Sequence, residues 1–97
     1  MMKSNGPGVG FSGRLTLTRQ QWTDVNAELG LSARELQLVQ HIFEGKKLST
    51  IARDMKLALG TVKTYNQRIH QKLGLSDQRD LILRVVGVRE QLRQPKN

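Results

Sequence analysis

At 97 residues with a formal net charge of +8 and a pI near 10.7, the chain is one small basic domain. It is too short to hold a sensor or catalytic domain beside its own core, and its charge suits a polyanionic partner. The absence of cysteine excludes a disulfide framework and a thiolate metal site; no apolar run approaches the roughly 20 residues of a spanning helix, and the start MMKSNGPGVG lacks the apolar centre of a signal peptide, so an intracellular, cytoplasmic protein is expected.

Residues 1–13 are rich in Gly, with Ser4, Asn5, Pro7 and Ser12, a composition that does not repay the entropy of ordering and predicts a flexible tail. Residues 14–30 read as an N-terminal extension with a short helix. Thr18 and Gln21 stand in capping-box register, Trp22, Val25 and Leu29 recur at helical spacing, and Gly30 is the stop. Trp22 reads as packing. A second capping box, Ser32 with Glu35, opens the next helix; Leu36, Val39 and Phe43 form its inward stripe, Leu38 and Ile42 widen it, and Gly45 ends it. After Lys46 and Lys47 a brief helix from about Ser49 to Met55 is expected, with Ser49 as N-cap and Ile51, Ala52 and Met55 facing inward. Lys56, Leu57 and Ala58 make the turn.

The stretch LALGTVKTYNQRIHQKLGL, residues 57–75, then reads as a longer helix that begins at Leu59 or Gly60 and stops at Gly74. At about 100° per residue Val62, Ile69 and Leu73 share one face, flanked by Tyr65 and Asn66. Gly60, Lys63, Thr64, Gln67 and Gln71 lie on the other, with Arg68 at its edge, and that face carries no acid. Lys46, Lys47, Arg53, Lys56, Lys63, Arg68 and Lys72 crowd this middle part of the chain, opposed there only by Asp54. Two short helices, a tight connection and a longer helix with a basic outer face make a helix-turn-helix pattern. Ser76 and Asp77 offer caps for a last helix. Its stripe Leu81, Val85, Val88 and Leu92 closes the core, whereas Ile82, Leu83 and Val86 have no evident neighbour within one copy and suggest a dimer contact. LILRVVGV is β-branched enough for a strand, but the caps and the helical period favour a helix.

Over roughly residues 31–88 the chain resembles the LuxR-type helix-turn-helix domain of the LuxR, FixJ, NarL and GerE regulators. The resemblance is carried by Leu31, Ser32, Arg34 and Glu35 at the first helix, Gly45 at its end, and Ile51 and Ala52 in the second. Thr61, Val62 and Lys63 in the third, then Ile69, Lys72, Leu73 and Gly74, complete it. It implies an all-α fold, a four-helix LuxR-type domain over residues 31–92 behind the extra helix and the tail. It also implies a bacterial, nucleoid-associated transcription regulator whose third helix, about 59–73, lies in the major groove of double-stranded DNA. By position, Lys63, Thr64 and Gln67 are then the base-reading residues and Ser49, Thr50, Thr61 and Lys72 the phosphate-contacting ones; the charges of Arg68, Lys46 and Lys47 in the same part of the chain add these three to the phosphate set. Ile82, Leu83 and Val86 on the fourth helix are the homodimer interface, for binding an inverted repeat.

The chemistry agrees with those positions. Lys donates to guanine N7 and O6, Gln pairs with adenine N6 and N7, and a Thr methyl touches a thymine methyl, while phosphate contacts set register. Ala58 departs from the usual capping Ser, and Tyr65, Gln78 and Leu81 from a frequent His, Arg and Ala. Family members normally carry an N-terminal receiver or ligand-binding domain that the first thirty residues cannot form, so a stand-alone regulator or an excised domain is expected. No enzyme is expected: Ser76 and Asp77 are better explained as caps than as a catalytic pair, and Gly6, Gly8 and Gly10 follow no strand. His41 and His70 lack paired ligand spacing, so neither a metal nor a cofactor is expected. The alternative reading is a protein-interaction module that docks on a larger regulator or RNA polymerase through Ile82, Leu83 and Val86.

Overall fold

The computed structural model describes residues 17–93; the tail expected at 1–13 and the first residues of the extension lie outside them. Among the described residues there are five helices and no strand: α1 (Arg19–Leu29), α2 (Ala33–Phe43), α3 (Leu48–Met55), α4 (Leu59–Leu73) and α5 (Gln78–Arg93). Both capping boxes form. The Thr18 hydroxyl accepts the Gln21 N–H at 3.1 Å while the Gln21 side chain accepts the Thr18 N–H at 2.8 Å, and Ser32 and Glu35 exchange the same pair at 3.2 and 2.9 Å. Each satisfies donors that a helix beginning leaves without an intrahelical partner. Asp77 starts α5 by accepting the Asp80 N–H at 2.9 Å.

Helix ends are set by left-handed residues. Gly30 and Gly74 take φ of +70° and +69°, and Lys56 takes +58° between α3 and α4. After Lys56 the Leu57 N–H returns to the Ala52 carbonyl at 2.9 Å, and after Gly74 the Leu75 N–H returns to His70 at 2.8 Å, the closure that absorbs orphan carbonyls and turns the chain sharply.

The core gathers one stripe from every helix: Trp22, Val25 and Leu29 of α1; Leu38, Val39, Ile42 and Phe43 of α2; Ile51 and Ala52 of α3; Val62 and Ile69 of α4; Leu81, Val85 and Val88 of α5. α2 and α3 pack on α4 and on each other, and α1 packs on α5. Trp22 meets Phe43 edge-to-face with ring centroids 5.4 Å apart, the arrangement that sets a positive ring edge on a negative face.

Four expectations are corrected. α3 begins at Leu48, and its N-cap is Lys47, which makes no side-chain cap bond, rather than Ser49. Leu48 packs against the core as the first helical residue, and the Lys47 carbonyl accepts the Ile51 N–H at 2.9 Å, which draws the start forward. On α2, Leu38 and Ile42 are buried with Val39 and Phe43 and Leu36 is half-buried, α2 packing on both α3 and α4. Leu92 is 46% exposed in the last turn of α5, not part of the core. Ile82 and Val86 do have neighbours within the chain: both are half-buried against the core, so the exposed apolar side chains of α5 are Leu83, 54% exposed, and Leu92.

Candidate nucleic-acid interface

α4 is held from its inner face and its C-terminal end. Val62 and Ile69 are fully buried, and Tyr65 and Leu73 pack beside them. At the far end, Lys72 Nζ donates to Glu35 Oε1 at 2.9 Å and reaches the Gly30 carbonyl at 3.5 Å, which ties α4 to the beginning of α2. Arg84 of α5 donates to the Leu73 carbonyl at 3.1 Å, a cation on the negative end of the helix. His70 Nε2 lies 3.4 Å from Gln78 Oε1.

The opposite end and the outer face are free. Ala58 is the N-cap and offers no side-chain bond, and the first turn contains no acid. The N–H groups of Leu59 and Gly60 precede the first intrahelical bonds, made by Thr61 and Val62 to the Ala58 carbonyl at 3.0 and 3.1 Å. Gly60, Thr61, Lys63, Thr64, Gln67, Arg68 and Gln71 are exposed. Lys63 and Gln67 are four residues apart and therefore neighbours along the helix. The exposed Thr64 spends its hydroxyl donor on the Gly60 carbonyl at 3.0 Å, which leaves its methyl as the apolar group of the side chain. A helix of 15 residues is about 22 Å long at 1.5 Å per residue, and a major groove about 12 Å wide admits a helix.

The cations fall into two sets. Lys47, Arg53, Lys56, Lys63 and Arg68 have no carboxylate within 4.0 Å among the described residues. Lys46 and Lys72 do. Lys46 Nζ lies 3.1 Å from Asp54, 3.5 Å from Glu44 and 3.0 Å from His41 Nδ1. The side-chain bond to Asp54 raises the Lys46 pKa, and the same bond lowers that of Asp54. Glu35 is held below the usual carboxylate range by the Ser32 backbone N–H first and by Lys72 second. Of the residues expected at phosphates, Ser49, Lys47, Thr61 and Arg68 are exposed and Thr50 is half-buried. Lys46 and Lys72 also make ion pairs within the chain, Lys72 joining α4 to α2 and Lys46 joining the α2–α3 loop to α3. Sequence reasoning missed this because the Lys72–Glu35 partners are 37 positions apart and Lys46–Asp54 are 8 apart. It also missed Arg84, whose capping of α4 carries no local signal.

A match to the family described as "Bacterial regulatory proteins, luxR family" spans residues 29–85, from the end of α1 into the middle of α5. Two curated relatives named "Probable transcriptional regulatory protein NarL", from two strains of Mycobacterium tuberculosis, are each 41% identical over 64 residues, 66% of this chain and 27% of theirs. The chain thus spans about a quarter of the length of these relatives. No solved structure matches it significantly.

Proposed function

The chain belongs to the luxR family of bacterial regulatory proteins, a family of transcription regulators rather than enzymes, and from that premise we propose that it is a sequence-specific binder of duplex DNA. α4 lies in the major groove, where Lys63, Thr64 and Gln67 read base edges and Lys47, Ser49, Thr50, Thr61 and Arg68 hold phosphates. Two copies paired through α5 bind an inverted repeat on the nucleoid. The observation that carries the reading is the acid-free outer face of α4, exposed along its length and anchored behind by Val62 and Ile69. Rigid support of this kind lets a few side chains hold the geometry that base readout demands. The exposed Leu83, with Gly87 beside it presenting no side chain and open space around it, favours a second copy over solvent at α5.

Binding measurements on variants test this. Lys63→Ala and Gln67→Ala are each expected to lose about 1 to 3 kcal/mol of discrimination at one base position, and Arg68→Ala to weaken all sequences alike and lower the salt slope by about one. If both readout variants keep full affinity and specificity while Ile82, Leu83 or Val86 variants lose a protein partner, the docking-module reading replaces this one.

A further inference from the structure

Leu59 is the first residue of α4 and is 39% exposed. Ala58 precedes it and Gly60 follows, and a Cβ at Gly60 would meet nothing within 4 Å, so Leu59 stands with small neighbours on both sides. It is four residues before Lys63 and therefore lies next to it, one turn nearer the N-terminus. A leucine here supplies none of what usually begins a helix: it neither caps an N–H nor sets a negative charge against the positive end of the dipole. Nor does it contribute to the buried core. The other exposed large apolar side chains among the described residues, Leu83 and Leu92, are both on α5.

We infer that Leu59 is a specificity-determining residue whose isobutyl group packs on the C5-methyl of a thymine in the major groove, an inference that rests on the DNA-binding reading above. The N-terminal residues of a recognition helix are the ones that reach base edges. Leucine has no donor or acceptor for a phosphate or for a polar base edge, and the thymine methyl is the apolar group that the major groove displays. Small residues on both sides allow the first turn of α4 to come close to the base pair without another side chain intervening. Lys63 beside it and the exposed Thr64 make a mixed surface, so Leu59 extends the reading by one position toward the N-terminal end of the helix.

The test uses the full chain and the duplex that it enriches from a random pool. Each thymine of one half-site is replaced singly by deoxyuridine, which lacks only the methyl, and Kd is measured for the unaltered chain, Leu59→Ala and Thr64→Ser. One replacement is expected to weaken the unaltered chain about four-fold, the worth of one buried methyl-sized group, and to leave Leu59→Ala unchanged. Thr64→Ser identifies the thymine that the Thr64 methyl touches, which keeps the two contacts apart. Thermal melting of Leu59→Ala at or above the unaltered value separates lost contact from lost fold. Penalties equal in the unaltered chain and Leu59→Ala at every thymine would overturn the leucine contact alone. Enrichment of no sequence would overturn the DNA reading and this inference with it.

Discussion

Lys72 and Glu35 show how a residue gains a structural task from a distant neighbour. Position along the chain suggests a phosphate contact for Lys72, and within the fold its ammonium is 2.9 Å from a carboxylate that also completes the α2 capping box. Glu35→Ala removes the acceptor for the Ser32 N–H, the reciprocal half of the capping box, together with the partner of Lys72, and is expected to destabilise by about 1 to 2 kcal/mol in urea unfolding. The pH dependence has a definite sign. Glu35 has a folded pKa below its ordinary 4.5, so its contribution is fully present above about that pH and is lost as pH falls through the depressed folded value. Glu35→Gln should therefore flatten the acid limb of stability and leave the neutral region lowered. An unchanged acid limb would mean that the carboxylate is not held as described. Such partners are not legible in sequence, because nothing local to Glu35 points to a residue 37 positions away.

At the scale of the element, α4 combines a firm C-terminal end with a bare beginning. Its limits, the inner stripe and the Gly74 stop are all readable from residues 57–75, since a helical period and a left-handed cap are local properties. The start of α3 was less legible: Ser49 has the chemistry of a cap, but the helix begins one residue earlier at Leu48, which is half-buried against the core. Two substitutions test the bare beginning of α4. Ala58→Ser adds the missing side-chain acceptor and is expected to stabilise by about 1 kcal/mol. Gly60→Ala places a methyl in open space and is expected to stabilise by up to about 1 kcal/mol through helix propensity. Both are read by thermal melting, and if the first turn of α4 approaches DNA closely, Gly60→Ala should weaken operator binding while raising the melting temperature. Lys56 poses the same trade in the turn: at φ +58° it occupies a conformation that glycine adopts without cost, so Lys56→Gly should stabilise by roughly 1 kcal/mol.

For the whole molecule, α1 and the end of α5 lie largely outside the family match at 29–85, and they pack on each other. α1 is nonetheless part of the same core, because Trp22 closes over Phe43 and Val25 and Leu29 are buried. A boundary at residue 30 drawn from sequence therefore divides the functional unit from its extension, not two independent bodies. Trp22→Ala is expected to cost about 3 to 5 kcal/mol, measurable by chemical denaturation followed by circular dichroism; a loss well under 1 kcal/mol would mean that α1 is an appendage. The all-helical class, the five helices and most of the core were legible because the apolar period marks each helix and capping residues mark the starts of α1, α2 and α5. The surplus on α5 was only partly so, since the placement of Ile82 and Val86 depends on how the helices pack.

The central claim, that the outer face of α4 reads a DNA sequence, is tested most directly by selecting bound duplexes from a randomised pool at moderate salt and sequencing them. Enrichment of a short inverted repeat, lost or altered at single positions by Lys63→Ala and Gln67→Ala, is the predicted result. DNA retained without any enriched sequence would contradict it, for it would mean that Lys47, Lys63, Arg68 and their neighbours hold phosphates and read nothing.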